Sequence, residues 1–137
     1  MSTIGLTLAP DAAMVLGIAS TAMPFARTRE DEAERWLRLL RLHGEVGIAL
    51  QALGVSEVPL PRGGDHAEAN AARPDAVAAV TEHTVRIAAE RGVQGVGTSE
   101  VLMAVMEVYG EDFDRVLRAH GTDRDEVLER LGGPSGA

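Results

Sequence analysis

A chain of 137 residues, 45% of them hydrophobic, is long enough to bury one core without covalent staples. It contains no cysteine, which excludes disulfides, thiolate nucleophiles and cysteine–metal sites and suits a reducing compartment. The 21 acidic residues outnumber 13 basic ones, all arginine, for a net charge of −8. Nucleic acid and anionic membranes are therefore poor partners, and no Schiff-base or phosphate-loop lysine is available.

The chain opens Met1-Ser-Thr-Ile-Gly-Leu-Thr-Leu-Ala-Pro10 without a basic segment, and its longest apolar run, 12–19, is far too short to span a bilayer. The expectation is a cytoplasmic protein with no membrane partner. Asp11 caps a run apolar nearly all round, 12–23, which predicts a buried helix ended near Pro24. Asp31 opens a second helix, with Ala33, Trp36, Leu37 and Leu40 inward and Arg35, Arg38 and Arg41 outside. Glu34 stands four residues from Arg38, at ion-pair spacing, and seven from Arg41, two turns along the same face. A short helix, Val46 to Leu53, stops at Gly54. Proline and glycine mark about 57–74 as a connector between two half-domains, about 8–56 and about 75–131.

The second half is cleaner. Asp75 caps a helix to Arg91 with Val77, Val80, Thr84 and Ala88 inward, and Gly92 stops it. Thr98 caps a helix to Tyr109, and Gly110 breaks it. Asp112 to His120 carries Phe113, Val116 and Leu117, and Asp123 caps a last helix ending at Leu131. Residues 132–137 read as a frayed, disordered tail. The halves repeat: Leu50 to Gly54 matches Leu117 to Gly121 at an offset of 67, which also lays Asp31 on Thr98, Trp36 on Met103 and Val46 on Phe113. A duplicated helical unit predicts one all-α domain.

Gly92, Gly97-Thr98-Ser99-Glu100, Val101 to Met106, Val116-Leu117, Gly121-Thr-Asp123 and Val127 to Leu131 stand in the order of a known pattern. This half resembles the Clp N-terminal repeat, the double four-helix module that precedes the ATPase rings of Clp unfoldases. The first half resembles it through Asp31-Glu32, Leu50 and Leu53-Gly54. The resemblance implies an eight-helix fold with pseudo-twofold symmetry, in a stand-alone protein of the actinobacterial type. It also implies a binding role, with a peptide, an adaptor, or Clp ATPase or protease subunits as partners. In the family's phosphoarginine receptors the Glu of Gly-Thr-Glu-His holds the guanidinium. Position by position that acid is Glu32 in the first half, whereas the second has Ser99 there and Glu100 in the His position. Glu45 and Glu111-Asp112 stand where the phosphate would bind and repel an anion.

The candidate ligand-binding residues are thus Asp31, Glu32, Thr98, Ser99, Glu100 and His120. His120 reads either as a functional histidine beside Asp112 or Asp123, or as a helix-end residue satisfied by carbonyls and the helix dipole. Gly92 to Thr98 looks like a phosphate loop, but without a lysine or a preceding strand it reads as a helix stop, a turn and a cap. Glu107, Glu111, Asp112 and Asp114 read as a solvated acidic rim around Tyr109 and Gly110, and Met103 and Met106 as core. No metal-ligand spacing occurs among the histidines, so neither metal nor cofactor is expected. The favoured reading is a non-enzymatic module that takes a peptide, adaptor or peptide-like small molecule between its repeats, with Glu32 and Glu100 selecting a cationic group. The alternatives are an enzyme or self-resistance protein of a specialised-metabolite pathway on the same scaffold, and an accessory subunit with a large apolar patch.

Overall fold

The computed structural model describes residues 7–55 and 76–131. These are mostly helical, with seven α-helices among the described residues. Strand β1 (Thr7–Leu8) is followed by α1 (Pro10–Ala22), a 3-10 turn (Met23–Phe25), α2 (Arg29–Arg41) and α3 (Gly44–Ala52). The second half has α4 (Ala76–Arg91), β2 (Gly95–Val96), α5 (Thr98–Tyr109), α6 (Glu111–Ala119) and α7 (Arg124–Arg130). β1 and β2 pair in parallel, Thr7 beside Gly95 and Leu8 beside Val96, so residues 7–8 are fastened to the turn before α5. Two residues per strand carry no alternation that a sequence pattern could register.

Helix α1 corrects the first expectation. It starts at Pro10, with Ala9 as its cap and Asp11 in its first turn. Proline is at home there because its missing N–H would be unpaired anyway. The helix buries one face, Ala12, Val15, Leu16 and Ala19, while Met14 is 52% and Ile18 38% exposed. The cap of α2 is Thr28 and not Asp31: the Thr28 hydroxyl accepts the Asp31 N–H at 3.0 Å. Asp31 sits three residues in, accepts the Arg27 N–H at 3.1 Å and takes Arg35 at 3.2 Å. Ala33, Trp36, Leu37 and Leu40 are fully buried, as their spacing predicts. Each of the three large side chains contributes about 1.5–3 kcal/mol of transfer free energy.

Three helix ends share one backbone hydrogen-bond pattern, that of α4 included, where Val93 N–H reaches Ala88 C=O and Gly92 N–H reaches Ala89 C=O. At the end of α3, Val55 N–H reaches Leu50 C=O and Gly54 N–H reaches Gln51 C=O. At the end of α6 the same pair recurs 67 residues on, Thr122 to Leu117 and Gly121 to Arg118. Gly54 and Gly121 hold φ of 89° and 91°, a left-handed backbone that favours glycine. One helix earlier in the chain the register differs. The helix caps Thr28 and Gly97 are 69 residues apart, and that shift superposes burial: Ala33 on Leu102, Trp36 on Val105 and Leu40 on Tyr109. The offset of 67 would lay buried Leu40 on exposed Glu107. The α5–α6 junction is shorter because Gly110, at φ 53°, turns the chain in a single residue. At that shift Thr98 lies on Arg29 and not on Asp31, and the cap of α5 is Gly97, not Thr98.

The core lies between the halves. α1 packs on α4 and α5, α2 on α5 and α6, and α3 on α5 and α7. α3 begins at Gly44, two residues before its expected start, and α6 at Glu111, one before. Asp123 caps α7 as predicted, accepting the Glu126 N–H at 2.8 Å. The connector at about 57–74, the Asp75 cap and the tail 132–137 lie outside the described residues.

Candidate functional site

The face of α2 that meets the second half carries acids as well as apolar residues. The spacing that buries Trp36 and Leu40 also points Glu32 inward, one turn ahead of Trp36. Tyr109, at the last position of α5, lies 2% exposed against them, not in a solvated rim. Its hydroxyl donates to Glu32 Oε1 at 2.7 Å and accepts from Trp36 Nε1 at 3.1 Å. Burial, then the hydrogen bond to Glu32 and that carboxylate's charge, pushes the phenol above the ordinary tyrosine range. The Arg29 guanidinium lies 5.0 Å from the ring centroid, donates to Val108 C=O at 2.7 Å and pairs with Asp112 at 2.9 Å. Burial alone would raise the Asp112 pKa, but hydrogen bonds from Arg29 and Arg115 outweigh it and hold the carboxyl below its usual range.

Two residues along α2 from Glu32, Glu34 corrects a second expectation. Its partner is neither Arg38 nor Arg41 but His120, whose Nε2 lies 3.0 Å and 3.4 Å from the two carboxylate oxygens. The pair is sealed, with side-chain exposures of 2% for His120 and 10% for Glu34. Both readings of His120 are thereby revised. The residue does end α6, with its backbone N–H on Val116 and Leu117, but its ring closes onto the other half. Asp112 and Asp123 are occupied elsewhere, by arginines and by the α7 cap.

A third contact joins α3 to the start of α5. Thr98 is 2% exposed, and its hydroxyl accepts the Val46 N–H of the first turn of α3 at 3.4 Å. Gly44 makes this approach possible: a Cβ there would stand 2.6 Å from Thr98 Oγ1, and its φ is 63°. The Ser99 hydroxyl donates to Glu45. Glu45 is exposed in the first turn of α3, and Ile48, one turn on, is 74% exposed. Glu100 points the other way. It accepts the Gly97 N–H at 2.8 Å and pairs with Arg91 at 3.3 Å, so it closes the start of α5.

The six sequence candidates therefore do not converge. Asp31 and Glu100 stabilise helix starts, Glu32 and His120 are sealed between the halves, and only Thr98 and Ser99 border a surface carboxylate, that of Glu45. Sequence reasoning missed Glu34 as a buried acid and Glu45 as the exposed one. The signal for Glu34 was its place one turn ahead of inward Leu37, outweighed by an arginine one turn on. His83 and Arg86 engage Glu107, with His83 Nδ1 at 2.7 Å, and this lowers the Glu107 pKa chiefly through the His83 hydrogen bond. Met106 is core, and Met103, partly buried, meets Arg91 at 3.0 Å. Among the described residues no group of three potential ligands could hold a metal, and no helix is long and apolar enough to cross a membrane. Comparison with protein-family models, with curated proteins and with solved structures finds no match.

Proposed function

We propose that the protein is a non-enzymatic binding module of the Clp N-terminal repeat type, an eight-helix double repeat that holds a peptide or a peptide-like segment of a Clp ATPase or protease partner. The observation that carries the non-enzymatic reading is that the buried polar groups at the junction of the halves satisfy one another: Tyr109 with Glu32 and Trp36, Glu34 with His120. A His–carboxylate pair otherwise speaks for catalysis, but an imidazole 2% exposed offers a substrate no approach. The matching burial of Ala33, Trp36 and Leu40 with Leu102, Val105 and Tyr109 at a shift of 69 supports the double repeat. The counterpart of α7 in the first half would fall at 57–63, outside the described residues.

The seam of α3 and α5 is the place for the ligand. Glu45 offers an exposed carboxylate backed by the Ser99 hydroxyl, and Ile48 offers an apolar neighbour one turn away. That combination suits a cationic residue flanked by an aliphatic one. The seam replaces Glu32 and Glu100 as the selecting acids, since both are engaged inside the fold.

The test is capture of purified Clp ATPase and protease subunits, and of an arginine- and leucine-bearing peptide, by the immobilised protein. Wild type is expected to retain at least one of them, and the Glu45→Gln, Ile48→Asp double variant to lose it. Retention of nothing by wild type, or equal retention by the variant, refutes the reading.

A further inference from the structure

We infer that the outer face of α1 is a self-association surface, on which a second copy of this chain lays its own α1 antiparallel. The sequence of this helix is that of a buried element, yet half of it faces out. Helical spacing puts Met14, Ile18 and Thr21 along one line that continues to Phe25, and the exposures of Met14, Ile18 and Phe25 are 52%, 38% and 73%. The hydroxyls beside this line do not ask for water. Ser20 donates to Gly17 C=O at 2.8 Å and Thr21 to Ile18 C=O at 2.9 Å, within their own helix. A Cβ on Gly17 would meet nothing within 4 Å, so this chain gains no close contact from a glycine that costs helix stability. A second helix approaching at Gly17 would use that space.

Charge selects the occupant. Asp11 lies exposed in the first turn of α1, at the edge of the face where its Cβ borders Gly44, and Arg27 lies exposed just past the end of the face. Among the described residues no ion pair engages the side chain of either. An antiparallel copy brings Asp11 of each chain to Arg27 of the other, while Gly17 meets Thr21, so the surface is complementary to itself. One helix face and one phenylalanine place the interface at the low end of specific contacts, below about 1,200 Å² in total. The association is weak, and its midpoint lies in the micromolar-to-millimolar range of transient contacts.

Sedimentation equilibrium of the whole chain from roughly 1 µM to 1 mM brackets that affinity. Wild type should pass from monomer to dimer. Gly17→Gln places its side chain in open space, leaves helical circular dichroism intact and weakens the dimer at least about tenfold. Asp11→Arg alone and Arg27→Asp alone should each weaken it, and the two together should restore it to within about threefold of wild type. A wild-type monomer at every concentration overturns the inference. So does a dimer indifferent to Gly17→Gln, or one that the double charge swap fails to rescue.

Discussion

Replacing Tyr109 with phenylalanine removes one oxygen and leaves the ring in place. That oxygen is the hinge of the buried junction, since it donates to Glu32 at 2.7 Å and accepts from Trp36 at 3.1 Å. Loss of a hydrogen bond to a carboxylate costs about 1.5–3 kcal/mol, and leaving a buried indole N–H unpaired costs about 1–3 kcal/mol more. Partial relaxation of the two helices brings the expected loss to about 3 kcal/mol, a large share of the roughly 7–20 kcal/mol typical of a chain this long. Trp36 is the single tryptophan and fully buried, so urea unfolding followed by its fluorescence reads the junction directly. The effect also has a pH signature. A phenol held above its ordinary range binds its proton more tightly in the folded state. The stability it contributes is complete below the ordinary tyrosine pKa near ~10 and declines as pH rises beyond it. Tyr109→Phe should therefore flatten the alkaline limb of wild-type stability as well as lower the plateau. A loss below about 0.5 kcal/mol at neutral pH, within the range of ordinary surface changes, would refute the reasoning.

The Glu34–His120 pair gives a second test. Glu34→Ala should cost about 3 kcal/mol, whereas Glu34→Leu with His120→Leu should recover most of it, because breaking a buried pair is worse than replacing it; guanidinium melts of the variants measure this. Two glycines should behave oppositely in thermal melts. Gly47→Ala drives a Cβ to 2.6 Å from the Arg41 carbonyl oxygen and should destabilise by about 1–3 kcal/mol, while Gly17→Ala meets open space and should stabilise by up to about 1 kcal/mol. Asp112, lowered by Arg29 and Arg115 against the effect of burial, contributes stability above the ordinary aspartate pKa that is lost as pH falls through its lower folded value. Asp112→Asn should flatten the acid limb of a stability–pH curve by no more than about 1 kcal/mol, since the group is partly exposed.

The helices were legible where apolar spacing ran for three turns. Trp36, Leu37 and Leu40 are as buried as their period predicts, and Gly54, Gly92 and Gly121 hold the left-handed turns where helices stop. The partnerships were not legible, for a physical reason. Asp31 and Thr28 both make good caps, and choosing between them depends on where the preceding turn leaves the chain. Glu34 had an arginine four residues away and a histidine 86 residues away, and spacing along one helix says nothing about the second. A buried histidine and an exposed catalytic one look alike until the other half is in place. A uniform register of 67 lays Ser99 on Glu32, whereas the helix starts differ by two residues, one from the shorter α5 and one from the single-residue turn at Gly110. The outward face of α1 was hidden by its composition, since Met14, Ile18 and Phe25 read as core in any pattern.

Where a ligand touches the protein is the most direct test of the α3–α5 seam. Two-dimensional amide spectra titrated with an arginine- and leucine-bearing peptide measure that residue by residue. The expected shifts cluster at 43–48 and 97–99, where Glu45, Ile48 and Ser99 meet, and vanish in the Glu45→Gln, Ile48→Asp variant. Shifts centred on Glu34 and His120 would instead show the sealed pair opening to a ligand, and would contradict the account.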